Sequence, residues 1–201
     1  MPETWHRAGP ELEKTQMNTI LKTTLAAATL AVGLAGAAAA QDATQWNGFY
    51  GGLQFDITSP ELDGTPTQVG TGHGGTAFVG YNHAIDQNWV VGGELSFGRQ
   101  SGMEAGPNEL IIENAVHLRG RAGYNVGNTL LYGSLGYMTA DFNGGGPDIS
   151  GDGMTFGLGA ETMITDRVSA RIEFTRSDMD LEGSPVSIQG NTLSLGLAMH
   201  F

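Results

Sequence analysis

The sequence predicts an all-β fold, an eight-stranded antiparallel up-and-down transmembrane β-barrel, and three observations carry that reading. Apolar and polar residues alternate with period two through segment after segment, the signature of half-buried strands. The connections between those segments alternate between tight turns and longer polar stretches. No apolar run of about 18 residues follows Gln41, so a membrane-spanning helix is excluded there.

The eight segments run, in order, over Trp46–Asp56, His73–Ile85, Trp89–Arg99, Leu110–Val126, Thr129–Asp141, Gly153–Ile164, Arg167–Ser177 and Ser187–Phe201. Asp86-Gln87-Asn88, Gly127-Asn128 and Thr165-Asp166 join the second to the third, the fourth to the fifth and the sixth to the seventh. These are residues that favour tight hairpin turns. The other connections, about 57–72, 100–109, 142–152 and 179–186, are longer and rich in Gly, Pro, Asp and Ser. Long loops on one side and short turns on the other form the layout of an outer-membrane barrel with an even strand number. Both termini are then expected on the short-turn side, facing the periplasm.

The alternation has a sided chemistry. Val168, Ala170, Ile172 and Phe174 share one face of the seventh segment, and Ser169, Arg171, Glu173 and Thr175 share the other. In the fourth, Val116, Leu118, Ala122 and Tyr124 oppose His117, Arg119, Arg121 and Asn125. In the third, Trp89, Val91, Leu95 and Phe97 oppose Glu94 and Ser96. In the eighth, Leu193, Leu195, Leu197, Met199 and Phe201 oppose Thr192, Ser194, Gly196 and His200. A soluble, lipocalin-like binder would turn the apolar face inward; a membrane barrel turns it toward lipid. Two features favour lipid. The polar face is small, with charges at mid-strand and no Lys. Trp46, Phe49, Tyr81, Trp89, Tyr124 and Phe201 stand near strand ends, as an aromatic girdle would.

The first forty residues read differently. From Met17 the chain has a short basic region with Lys22, an apolar stretch from about Thr24 to Ala35, and Ala38 and Ala40 in an Ala-x-Ala arrangement before Gln41. That is the pattern of a secretory signal peptide over 17–40. Residues 1–16 carry Glu3, Glu11 and Glu13 and fit no such leader; an early start, with Met17 the true one, explains them. The barrel domain is expected over 41–201.

Composition removes several function classes. The chain has no cysteine, which excludes disulfides, thiol catalysis and cysteine metal sites. Its net charge is −12 with 9 basic residues, which argues against nucleic-acid binding. From Gln41 onward the basic residues are six Arg and no Lys, against eighteen acids. His73, His83, His117 and His200 show no metal-ligand spacing. No G-x-S-x-G elbow accompanies His200, Ser194 or Ser187, so neither a catalytic role nor a cofactor is expected. The glycine runs at 70–75 and 144–146 precede no Lys and helix, and read as loop rather than phosphate cradle.

The stretches WNGFYGGLQF, GGTAFVGYNHAIDQNWVVGGELSF and GAETMITDRVSARIEFTR resemble the opening strand and two hairpins of the OmpA-like eight-stranded outer-membrane β-barrel family, small porin-like proteins of Gram-negative bacteria. The end SLGLAMHF is similar to that family's assembly signal, carried by Ser194, Gly196, Met199 and the terminal Phe201. The resemblance covers nearly all of 46–201 and implies a cell outer-membrane location, contact with outer-membrane lipids and lipopolysaccharide, and recognition of the last strand by the barrel-assembly machinery. It is to the barrel domain alone; no peptidoglycan-binding domain is expected.

The candidate site is the lumen. Glu94, Arg119, Arg121, Glu161, Arg171 and Glu173 fall on the predicted inner face. An eight-stranded barrel is just wide enough for its own side chains, and opposite charges in such a space pair. A filled lumen with a structural or surface-interaction role is therefore expected, ahead of a narrow low-conductance porin. A surface partner would bind the long loops, whose Glu61, Asp63, Glu104, Glu109, Asp148, Asp152, Asp180 and Glu182 have no fixed metal-binding spacing. The leader reading has a direct check: N-terminal sequencing of the exported protein should begin at Gln41, and a start at Met1 or Met17 would overturn it.

Overall fold

The computed structural model describes residues 42–62, 70–105, 108–143, 149–181 and 187–201. The leader predicted over 17–40 and the segment before it lie outside these residues. So do Asp63, Asp148 and Glu182, and the side chains of Glu61, Glu104 and Glu109.

Eight strands follow in chain order: β1 (Gly48–Leu62), β2 (Gly72–Ala84), β3 (Trp89–Ala105), β4 (Asn108–Val126), β5 (Thr129–Asn143), β6 (Ile149–Met163), β7 (Val168–Leu181) and β8 (Ser187–His200). Each pairs antiparallel with the next, and β8 pairs with β1, so the sheet closes on itself. The closing seam runs from Tyr50↔His200 to Leu62↔Ile188. Closure leaves no unpaired edge, as a sheet in hydrocarbon requires.

The turns end the strands for local reasons. Asp86 Oδ1 accepts the backbone N–H groups of Asn88 and Trp89, both at 2.8 Å. These two donors hold its carboxyl below the usual carboxylate range. Thr165 Oγ1 accepts from Val168 N at 3.0 Å in the corresponding β6–β7 turn, and Gly127 supplies the positive φ of 63° between β4 and β5.

The apolar face is outside. Leu53, Val79, Leu118, Leu158 and Leu197 are all more than half exposed, while Glu94, Glu161, Glu173 and Arg171 are buried. This is the inverse of a soluble lipocalin-like barrel, whose apolar face lines the inside. Phe49 packs edge-on against Tyr81 at 4.9 Å, and Trp89 against Tyr124 at 5.3 Å, on the outer surface near the short turns. Phe55, Phe97, Tyr137, Phe156 and Phe174 stand on the same face nearer the long connections.

Two expectations are corrected. Trp46 was expected in the first strand and in the girdle. It closes a short 3₁₀ turn, Ala43–Trp46, and is wholly buried. Its ring packs with Ala43, Val90, Leu130 and Met163 at the short-turn end, and its Nε1 donates to Asn125 Oδ1 at 2.8 Å. An indole is stable indoors when its N–H finds an acceptor.

The long connections are also shorter than expected. The ladder of β3 runs on to Ala105, and β4 begins at Asn108, so most of 100–109 is strand. Polar and glycine-rich composition does not stop a ladder that bulges absorb. Register shifts fall between Gly98 and Gln100 and between Gln100 and Met103, next to Asn114 (φ 48°) and Gly102 (φ 84°). Asn tolerates the left-handed region better than most residues.

Interior glycines make room for rings on neighbouring strands. Gly80 is the register partner of Tyr50, and Gly159 that of Tyr132. A Cβ on Gly80 would meet the Tyr50 ring and, at 2.7 Å, the carbonyl oxygen of Gly93; one on Gly159 would meet Tyr132 Cζ at 2.5 Å. A Cβ on Gly133 meets nothing closer than 3.8 Å. Gly80→Ala or Gly159→Ala should therefore destabilise the barrel by about 1–3 kcal/mol, as overpacking does. Gly133→Ala should leave the urea midpoint of the refolded protein within experimental scatter; equal loss from all three would refute the ring-seat account.

Candidate functional site in the barrel lumen

Strand parity places the six predicted lumen charges inward, and each is at most 5% exposed. Glu94 (β3) is the hub. Arg119 (β4) reaches its Oε1 from Nε at 3.0 Å and from Nη2 at 2.5 Å. Arg171 (β7) reaches its Oε2 at 2.7 Å, and Arg121 (β4) lies 3.8 Å from the same oxygen. Because β3 and β7 are four strands apart in the closed order, the Glu94–Arg171 pair crosses the width of the barrel.

The other two carboxylates complete the layer. Glu173 pairs with Arg119, and its Oε2 accepts from Tyr132 Oη at 2.5 Å. Glu161 Oε2 accepts from Arg121 Nη2 at 2.9 Å. Aromatic rings fill the remaining space. Arg121 lies over the rings of Tyr132 (4.3 Å) and Tyr50 (5.1 Å), and Arg171 over Phe78 (3.5 Å). Tyr50 Oη donates to Glu94 Oε2 at 2.9 Å. Each guanidinium thus has a carboxylate, and those of Arg121 and Arg171 also have a ring face, the partners a planar cation suits.

Two further polar groups flank it, and neither belonged to the predicted set. Toward the short turns, Ser169 Oγ donates to Glu161 Oε1 at 2.7 Å, and His200 Nε2 lies 3.0 Å from Ser169 Oγ and 3.1 Å from Glu161 Oε1. His200 stacks on Tyr50 and meets the edge of Trp46. A hydrolytic triad needs nucleophile and acid on opposite ring nitrogens; here both oxygens address Nε2. Nor does His200 meet Ser194 or Ser187, the serines singled out from sequence. Ser194 donates to Asp56 at 2.5 Å and Ser187 to Asp180 at 2.8 Å. Toward the long connections, Asp56 accepts from Gln54, Thr76 and Ser194, and His117 Nε2 meets Thr155 Oγ1 at 2.5 Å. Period-two parity placed Ser169 on the face of Arg171 and Glu173, and the same parity would have placed Tyr50, Asp56 and Tyr132 inward beside the charges.

The residues of the predicted assembly signal divide between the two faces. Ser194 is buried inside, Met199 and Phe201 are exposed outside, and Gly196 sits opposite Arg171. Among the described residues no cluster of three or more His, Asp and Glu is arranged to hold a metal ion.

An up-and-down eight-stranded barrel with an apolar exterior and an ion-paired interior is a transmembrane barrel of the outer-membrane type. The chain belongs to the outer membrane protein beta-barrel domain family, whose model matches residues 27–201. It is 28% identical over 178 residues to a 22 kDa outer membrane protein of Rhizobium leguminosarum bv. viciae, covering 79% of this chain and 80% of that one. The fold is similar to that of Neisserial surface protein A, at TM-score 0.57 and 14% identity over 77% of this chain and 98% of the other. It is also similar to Ail, the attachment invasion locus protein of Yersinia pestis, at TM-score 0.53 and 16% identity over 77% and 99%.

The hub arrangement has a measurable consequence. Glu94→Gln removes the carboxylate shared by three buried guanidinium groups and should cost about 3–5 kcal/mol, the range for breaking a buried pair from one side. Arg99→Ala breaks an exposed pair with Glu113 and should cost about 0–1 kcal/mol. Urea unfolding of the refolded variants separates the two, and similar losses would refute the hub.

Proposed function

We propose that this protein is a closed outer-membrane barrel with a structural and surface-interaction role, whose rigid wall displays the long connections outside the cell. The observation that carries the reading is the Glu94–Arg171 ion pair across the barrel, in one layer with Arg119, Arg121, Glu161 and Glu173. A second obstruction supports it: Trp46 and Ala43 are fully buried in an apolar cluster at the short-turn end. A conducting pore would need both displaced.

In this reading a leader over 17–40 directs export, and the termini face the periplasm. The barrel-assembly machinery recognises the last strand through Ser194, Gly196, Met199 and Phe201. Lipids and lipopolysaccharide surround the outer face. The shared ring nitrogen of His200 supports a role without catalysis. Unequal ends support the orientation. Apolar Ile85, Val126 and Ile164 reach the short turns, whereas Arg99, Asp152, Arg176 and Asp178 face outward toward the long connections.

Single-channel recording on the refolded protein tests closure. Wild type should show no stable open state. Steady conductance that Arg171→Ala or Glu173→Ala abolishes would overturn the reading and establish a narrow porin instead.

A further inference from the structure

The ion-paired layer uses three carboxylates and three guanidinium groups, yet the lumen holds a fourth acid. Asp56 is 2% exposed. Gln54 Nε2, Thr76 Oγ1 and Ser194 Oγ donate to it at 2.9, 2.6 and 2.5 Å. Among the described residues, none places a cationic nitrogen within 4.0 Å of it. Neutral donors satisfy its lone pairs but leave its charge uncompensated, which is costly in an interior. Gln54 itself accepts from Arg171 Nη2, and that guanidinium is already paired with Glu94.

Asp56 lines a cavity of about 100 Å³, partly open, in the half of the lumen toward the long connections. One water needs roughly 10–15 Å³, so the space has room for a short organic chain. Its deep wall carries hydroxyls, including those of Thr58, Thr76, Ser96 and Ser194, and Arg119 of the ion-paired layer belongs to its floor. Farther out, Ile112, Met138, Phe142, Met179 and Ile188 line it. The lining is polar at depth, where Asp56 is the acid without a cationic partner and Arg119 is already paired with Glu94 and Glu173, and apolar toward the mouth.

We infer that the cavity is a blind cup for a small organic ammonium ion, with the cationic head at Asp56 and its hydroxyls and a short apolar tail against Met138, Phe142 and Met179. A divalent metal fits this donor set poorly. Calcium takes about six to eight oxygen ligands, whereas one carboxylate stands here with Gln54, Thr76 and Ser194 already donating to it. The ligand enters from the long-connection side and leaves the same way, because the Arg/Glu layer closes the floor.

The methionines report on occupancy. Met138 and Met179 line the cup, whereas Met154 and Met199 face outward, 43% and 49% exposed. The experiment titrates n-butylammonium into the full chain refolded in detergent micelles and reads methionine methyl resonances. Saturable shifts are expected at Met138 and Met179 and not at Met154 or Met199. Asp56→Asn should weaken the apparent affinity at least tenfold. Ala115→Phe, which fills the cavity and leaves Asp56 in place, should abolish the shifts and serves where Asp56→Asn does not fold. n-Butanol at the same concentrations should give no saturable shift. Absence of saturation, equal shifts at outward methionines, an unchanged response in either folded variant, an equal response to n-butanol, or displacement of the response by calcium chloride would each overturn the proposal.

Discussion

A backbone crossing hydrocarbon has no water to take its N–H and C=O groups, and each one left unpaired costs several kcal/mol. Here that constraint is met by the seam between β1 and β8, where thirteen register pairs from Tyr50↔His200 to Leu62↔Ile188 remove the last free edge. Most other features follow from closing the sheet at eight strands. The outer face meets lipid and is apolar. The inner face is cut off from lipid, and the charged side chains buried at mid-barrel must satisfy one another.

Burial is therefore inverted relative to a soluble domain. Among the largest fully buried side chains are Glu94, Glu161 and Glu173, beside Trp46 and Tyr50. Such groups are tolerated inside only when partnered. Rings stand over guanidinium groups, and glycines lie opposite rings, so the width available to an eight-stranded barrel is used without collision. The absence of Lys after Gln41 fits the same scheme. Arg presents a planar fork that serves several acceptors at once, and Arg119 spends its fork on both Glu94 and Glu173.

The two ends differ in chemistry. At the short-turn end, a buried apolar cluster around Trp46 lies beside His200. At the other, polar strand ends and a partly open cavity lie beyond the ion-paired layer. The strands span 13 to 19 residues, more than the roughly 9–11 that cross a bilayer. With apolar residues reaching the short turns, the surplus strand length lies toward the other end of the barrel.

Much of this was legible from residues alone, because strand parity is a local property. Alternation in the seventh segment assigns Arg171 and Glu173 inward and Ile172 and Phe174 outward with no knowledge of any partner, and Asp86 and Gly127 mark turns by their own backbone preferences. What parity cannot supply is distance around the barrel. Glu161 is the register partner of Arg171, yet the arginine reaches across to Glu94 on the far wall, a choice made only once closure brings β3 and β7 face to face. The same holds for Trp46, whose alternation continues that of β1 but whose ring turns under the barrel because Val90, Leu130 and Met163 converge there. It holds also for the bulge at Asn114, which keeps two ladders paired through a stretch whose composition reads as loop. The sequence by itself determined which side of the wall each strand residue faces, since that depends on its neighbours in the chain. The tertiary structure decided which buried charges meet and what packs against Trp46, since those depend on strands that only ring closure brings together.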